Sequence, residues 1–565
     1  MTDVAAPAPK RTRVGMSRDD LYMRLGLVVL ALVLVVILAL PLWALLSKGF
    51  EDRDGKFVGL ANYISYFSTP ALLQSALNSL QVSAICTAIV VPIAFLYAYA
   101  LTRAVLPMRW LFQGVALIPI FAPSLLPGLA LIYLFGNQGF FKGMLGGEIY
   151  GLKGIVIAQV FYCLPHATMI LVTALATADA RLYEAADALG ASKIRIFFTV
   201  TLPGARYGLI SAALVVFTLV ITDFGIAKVI GGNFNVLATD VYKQVIGQQN
   251  FSMGAVVGMV LLAPAALAFI VDHLVQKKQV AQLTARAVPL VPKPSAGRDF
   301  FYAAFCTIVG LGIVGLLGMA ALGSLIKYWP YNLSLTLANY DFGNFDANGW
   351  GSYYNSLKMA AGAAIVGTAI MFVGAWLNEK TRGFYTVRSA VQFLTFLPMA
   401  VPGLVLGLGY IFFFNAPNNP LNVIYGTMTI LVVNTIAHFY TVGHLTATTA
   451  LKQIDPEFES VSASLKVPVW RTFGRVTVPI CLPSTLDIAI YMFVNAMTTV
   501  SSVIFLYSPD TKLASVAAVN IEETGATAAA AALCIVIVAT SAMVKALHIV
   551  AERLLLHKWQ AWRRR

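Results

Sequence analysis

The stretch Asp179–Pro203 reads DARLYEAADALGASKIRIFFTVTLP, and Asp455–Pro479 reads DPEFESVSASLKVPVWRTFGRVTVP. A constant offset of 276 positions lays one on the other: Asp179 meets Asp455, Leu189 meets Leu465, Arg195 meets Arg471, Phe197 meets Phe473 and Pro203 meets Pro479. In the first copy Leu182, Ala185, Ala186 and Leu189 recur at near-helical spacing, a narrow apolar stripe suited to docking. Small residues (Ala185, Ala186, Ala188) let another surface approach closely. Gly190 frees the chain for a turn, Ser192 is placed to cap a second short helix carrying Lys193 and Arg195, and Pro203 marks the start of the next apolar run. One such segment alone reads as an amphipathic surface loop. Two in register read as a docking element kept twice.

The sequence around them belongs in a bilayer. Of 565 residues, 59% are hydrophobic and 11% charged, and the mean hydropathy is +0.78. Soluble domains carry about a quarter charged residues. Cys86, Cys163, Cys306, Cys481 and Cys534 all lie in apolar stretches, without CxxC spacing or clustered histidines, so no disulfide framework and no metal site is indicated. The net charge of +14 is not that of a nucleic-acid binder, because Lys and Arg sit at the ends of apolar segments rather than in a patch with aromatics. Lys10, Arg11, Arg13, Arg18 and Arg24 precede an apolar run, Leu25–Leu46, that is too long for a signal-peptide core and reads as a first membrane helix.

A hydrocarbon core needs about 20 apolar residues per helix. The expected spans are Leu25–Leu46, Asn78–Thr102, Leu111–Phe135, Gly154–Ala176, Gly208–Ile230 and Met253–Val275, then Phe301–Ile326, Ser356–Asn378, Val391–Asn415, Val423–Ala447, Ser484–Leu506 and Ala526–Val550. The fold expected is all-α, with about twelve membrane helices in two parallel six-helix repeats. Its divisions are a first domain over 1–275, a proline-bearing cytoplasmic linker over 276–299 (Pro289, Pro292, Pro294) and a second domain over 300–565. An even number of spans per repeat makes both halves enter from the same side. Most basic residues, among them Arg103, Arg109, Lys277, Lys278, Lys380, Arg382, Arg388 and Arg563–Arg565, are cytoplasmic if both termini are. Fewer, including Lys48, Arg53, Lys56, Lys142, Lys243 and Lys512, then lie opposite. Both duplicated segments fall on the cytoplasmic side.

EAADALGAS followed by a basic stretch and LP resembles the EAA motif of binding-protein-dependent ABC importer permeases of the type I fold. The resemblance implies a loop helix that seats in a groove of a cytoplasmic ATPase, with Glu184, Ala185, Ala186, Gly190 and Pro203 in that role. The second copy departs from the pattern: Lys466 stands where the glycine belongs, and Glu459 is one place early, with Ser460 opposite Glu184. Leu465, Arg471, Phe473 and Pro479 still imply docking there. No GxxxxGK[ST] phosphate loop occurs, nor any GxSxG or HExxH, so no catalytic residue and no cofactor is expected on this chain. ATP and magnesium would be held by a partner ATPase homodimer, and substrate would arrive on a periplasmic or extracellular binding protein. The location implied is the bacterial inner membrane.

Ionisable groups inside a membrane are costly and point to function. Asp223, in VITDFG, is the clearest, and its repeat counterpart is Thr499. With Thr222, Asn495, Thr498, Thr499, Ser501 and Ser502 it is expected to line a polar passage, against the plainer reading of helix-to-helix hydrogen bonds. His166, His438 and His444 read as packing or interfacial residues. Pro119, Pro123 and Pro127, echoed by Pro398 and Pro402, predict broken third spans. Fused permeases of this size resemble 2-aminoethylphosphonate and ferric-iron importers, and segments 231–251 and 505–520 look more like the phosphonate group. Phosphonate is therefore the expected substrate and ferric iron the alternative. An ion-coupled secondary transporter is the alternative of another class.

Overall fold

The structure, a computed structural model, describes residues 18–144, 149–282, 288 and 290–556, with backbone alone for 277–282, 555 and 556. Lys10, Arg11, Arg13, Arg563–Arg565, the side chains of Lys277 and Lys278, and the middle of the expected linker lie outside the described residues.

Apolar stretches in lipid must pair their own N–H and C=O groups, which leaves the helix as the solution. Among the described residues ten continuous helices are long and apolar enough to span: Arg18–Lys48, Pro70–Arg103, Leu152–Ala176, Lys193–Thr222, Phe251–Gln276, Ala296–Leu325, Gly351–Lys380, Met428–Lys452, Val469–Thr498 and Thr527–Leu554. Two bent pairs, Arg109–Phe121 with Leu125–Phe135 (101°) and Tyr385–Ala400 with Gly403–Phe414 (116°), complete twelve if each pair counts as one span. These are the third and ninth spans, broken where the prolines predict. A residue before proline is pushed into extended backbone; Ala122 precedes Pro123 with ψ 137° and Val401 precedes Pro402 with ψ 117°.

Two expected spans are misplaced in the sequence reading. The fifth and eleventh, placed at Gly208–Ile230 and Ser484–Leu506, form helices Lys193–Thr222 and Val469–Thr498. Pro203 and Pro479 do not open these spans. Each follows a wide π turn, Phe197–Thr201 and Phe473–Thr477, which gives room to a residue that lacks an N–H and crowds the preceding turn. The helices then stop at Asp223 and Thr499, both extended with ψ 131° and 137°. The linker is also shorter than expected, since helix continues to Gln282 and resumes at Ala296.

The halves interlock through their first spans. Arg18–Lys48 packs mainly on the eighth and ninth spans, and Ala296–Leu325 packs on the second and third. The Tyr410 hydroxyl donates to Ile37 O at 2.8 Å. Beside it a Cβ at Gly409 would sit 2.7 Å from Pro41 O, so this crossing requires glycine. Leu25, Val29, Leu32 and Trp43 on the outer face of the first span are exposed, as expected where lipid replaces water.

Candidate functional site

The duplicated loops repeat at atomic detail. In the first, Asp179 Oδ1 accepts from Arg181 N at 3.1 Å and opens helix Ala180–Ala188. In the second, Asp455 Oδ1 accepts from Glu457 N at 2.9 Å before helix Glu457–Ser464. Both helices close with the same bonds: Leu189 N to Ala185 O, Gly190 N to Asp187 O and Ala191 N to Ala186 O, matched by Leu465 N to Val461 O, Lys466 N to Ala463 O and Val467 N to Ser462 O. This is the Schellman closure, which needs a left-handed residue after the helix. Gly190 supplies it at φ +70° and Lys466 at φ +51°. Lysine thus adopts the glycine's conformation, and the turn survives the substitution.

The apolar stripe is exposed in both copies. Leu189 is 86% and Leu465 70% accessible, while Leu182, Ile194, Phe458, Val461 and Trp470 are exposed too. Glu184, Ala185 and Ser460 share that open surface, and Ala186 is half-buried. Phe197 and Phe473, by contrast, face inward. Phe197 packs edge-on against Phe95 and Tyr99, and Phe473 lies 4.4 Å from the Trp376 ring, so Phe473 anchors its loop rather than presenting it. Glu459 stands one place before the counterpart of Glu184. It occupies the repeat position of Tyr183 and pairs with Lys380.

A cavity of about 450 Å³ lies between the halves, where the breaks of the third, fifth, ninth and eleventh spans converge. It brings together Thr222, Asp223, Asn495, Thr498, Thr499 and Ser501. Several are also bonded to backbone: Thr222 Oγ1 donates to Thr218 O (2.8 Å), Thr498 Oγ1 to Val494 O (3.0 Å) and Asn495 Nδ2 to Tyr491 O (2.8 Å). Asp223 Oδ2 accepts from Gln159 Nε2 at 3.1 Å and from Ile226 N at 3.0 Å. Tyr162, Tyr491, His166 and His438 line the same space. The tyrosines carry no signal of their own in the sequence, and the two histidines, expected as packing or interfacial residues, face the cavity. Tyr162 and His438 are counterparts at the repeat offset, which was the available signal. His444 lies apart, near the loop end of the tenth span, in a pocket with Glu379, Arg388 and Lys452.

Beyond the cavity, away from the loops, short helices Gly225–Ile230 and Ala514–Glu523 meet. Lys228 Nζ reaches Glu523 Oε1 at 2.6 Å and lies over the Tyr242 ring. Burial pushes the neighbouring Glu522 carboxyl up to about 7.

Residues 90–280 and 370–554 match the family described as the binding-protein-dependent transport system inner membrane component. The chain belongs to that family. The two matched segments are the two halves of a multi-pass inner-membrane ABC importer permease, and the ATPase is a separate subunit. That removes ion-coupled secondary transport as an alternative. The family implies two further partners, an ATPase and a substrate-binding protein. Among relatives, the putative ferric transport system permease protein FbpB 1 of Haemophilus influenzae is 28% identical over 521 residues, 88% of this chain and 80% of its own. The ferric transport system permease protein FbpB of Actinobacillus pleuropneumoniae is 29% identical over 458 residues, 77% of this chain and 65% of its own. A shorter relative, the molybdenum transport system permease protein ModB of Escherichia coli, is 29% identical over 161 residues, 27% of this chain and 69% of its own. A solved chain of a bacterial ABC transporter importing the acidic polysaccharide alginate aligns with 47% of this permease and 97% of itself, at 14% identity and a TM-score of 0.38.

Proposed function

We propose that this permease carries ferric iron inward, driven by an ATPase homodimer that seats on both duplicated loops, with both termini on the cytoplasmic side and a periplasmic binding protein delivering substrate. The observation that carries the coupling reading is the pair of loops with matched caps and turns, each leaving leucine and aromatic side chains uncovered. Such faces are costly in water and fit a partner's groove. In this reading Glu184, Ala185, Ala186, Gly190 and Pro203 serve the first docking element, and Ser460, Leu465, Lys466 and Pro479 the second. ATP and magnesium stay on the partner. Thr222, Asp223, Asn495, Thr498, Thr499 and Ser501 form the passage, and the two permease domains are 1–275 and 300–565.

Ferric iron is favoured over 2-aminoethylphosphonate because long relatives spanning both halves are named for ferric transport. The segments that suggested phosphonate have another use. Asn78 Nδ2 donates to Asn235 O at 2.9 Å and Leu237 N donates to Ser79 Oγ at 2.7 Å; in the second half Ala514 N donates to Ser356 Oγ at 2.8 Å. They brace the ends of the spans. Liposomes holding the assembled permease, ATPase and binding protein test the reading. ATP-dependent accumulation of radiolabelled ferric ion, without accumulation of labelled 2-aminoethylphosphonate, is expected. The reverse selectivity refutes the ferric assignment, and uptake without ATP refutes the coupling.

A further inference from the structure

The central cavity has an unbalanced charge. Among the described residues lining it, Asp223 is the sole carboxylate and neither lysine nor arginine is present. Its hydrogen-bond donors are neutral: the Gln159 amide, the Ile226 and Ala227 N–H groups and the Ser124 hydroxyl. Neutral dipoles favour the ionised carboxylate without cancelling its field. A charge so placed at depth in a membrane protein is expensive to keep.

The fold does not require that charge. At the repeat position Thr499 makes the same helix break, with ψ 137°. Its hydroxyl meets the Ser502 hydroxyl at 3.0 Å, where Asp223 accepts instead from the Ile226 backbone N–H. A neutral side chain therefore suffices for the break itself, and the negative charge is not what the break requires.

The remaining lining sets the kind of ligand. It offers the phenols of Tyr162 and Tyr491, hydroxyls such as Thr222, Thr498 and Ser501, and two imidazoles. His438 Nδ1 is buried there without a hydrogen-bond partner. No cysteine or methionine sulfur contributes apart from Met399. Oxygen donors with a net negative charge suit hard, highly charged cations, and imidazole is compatible with iron. At about 30 Å³ of liquid volume per water, the cavity has room for roughly fifteen waters, enough for an ion and its hydration shell. Anions such as phosphonate meet the wrong sign.

We propose that this cavity is a transit site for a hard multivalent metal cation, with Asp223 as its charged ligand. The proposal rests on the reading of the cavity as the substrate passage and adds selectivity within the permease itself. Terbium(III) tests it on the purified full-length chain in detergent, because light absorbed by Tyr162 and Tyr491 sensitises the emission of terbium held beside them. Saturable emission, displaced by gallium(III), is expected. Asp223→Asn should weaken binding about tenfold, equivalent to about 1.4 kcal/mol, and Asp223→Glu should keep most of it. Glu523→Gln, which alters a carboxylate outside the cavity beside Lys228, should leave the titration unchanged, and a loss there as large as in Asp223→Asn overturns the assignment to Asp223. Asp223→Asn with unchanged titration, in a chain that elutes as wild type, overturns the proposal. So does loss in Asn and Glu variants alike when both remain folded. Leu189→Asp should leave terbium binding intact while uptake falls. If uptake in that variant persists, the coupling reading fails and the cation site stands.

Discussion

The two loops hold one shape by different means. In the first half the loop helix is tied to the membrane bundle by buried contacts without an ion pair: Arg103, 6% exposed, donates to Leu175 O at 2.8 Å and lies over the Tyr183 ring, whose hydroxyl donates to Thr201 Oγ1 at 3.1 Å. In the second half the same place is held by the Glu459–Lys380 ion pair, whose glutamate is 43% exposed. The turn is a relaxed glycine in one copy and a left-handed lysine in the other. The second short helix is capped by its own Ser192 in the first copy. Pro468 replaces that serine, and Asp19 of the first span caps Val469 N at 3.0 Å instead. Shape is what both copies keep. The chemistry behind the shape is free to drift.

The largest break in this comparison comes at the exposed apolar faces. Leu189→Asp and Leu465→Asp place a charge where an interface would bury a leucine, and each should weaken ATPase capture by about 2 kcal/mol or more, roughly thirtyfold. Co-purification of the ATPase with each variant measures it. Equal losses mean equivalent sockets, whereas an effect confined to Leu189→Asp means that the second copy has become passive. The tethers come next. Arg103→Ala removes a buried charged donor and should cost about 2 kcal/mol of thermal stability, while Lys380→Ala breaks a partly exposed pair worth about 1 kcal/mol or less. Melting of the two variants in the same detergent ranks them. The turns follow. Gly190→Ala should destabilise its loop by about 1 kcal/mol and Lys466→Gly should stabilise the other by a similar or smaller amount, because a side chain in the left-handed region costs about 1–2 kcal/mol. Limited proteolysis at each loop reads the opposite signs.

Much of this was legible because repetition amplifies weak signals. The breaks at Pro123 and Pro402 follow from the restriction proline places on its neighbour, and the six residues that meet at the cavity stand out as polar side chains in apolar runs. The helix limits at Lys193 and Thr222 were not legible, since hydropathy cannot see that a polar loop runs as helix through a π turn before it becomes apolar. Tyr162 and Tyr491 were missed because an aromatic in a membrane run is unremarkable until the opposite half supplies the other wall. The interlocking of first spans, and with it the role of Asp19, depends on contacts between residues hundreds of positions apart. No local pattern carries those.

That long-range cap gives the smallest and most discriminating prediction. A helix N-cap contributes about 1 kcal/mol when its side chain satisfies an otherwise unpaired N–H. Ser192→Ala should therefore loosen the first loop alone, raising exchange at the Arg195 amide severalfold. Asp19→Ala should do the same at the Val469 amide, 450 residues away, and leave Arg195 untouched. Tyr22, whose ring meets Trp470 edge-on at 6.3 Å, keeps the first span docked in that variant, so the effect isolates the cap from the packing. Hydrogen exchange followed by mass spectrometry resolves the two peptides. If Asp19→Ala shifts both loops together, the two elbows are coupled through the bundle rather than held separately. If it shifts neither, proline alone pre-sets the second helix, since Pro468 already fixes the backbone just before its first turn.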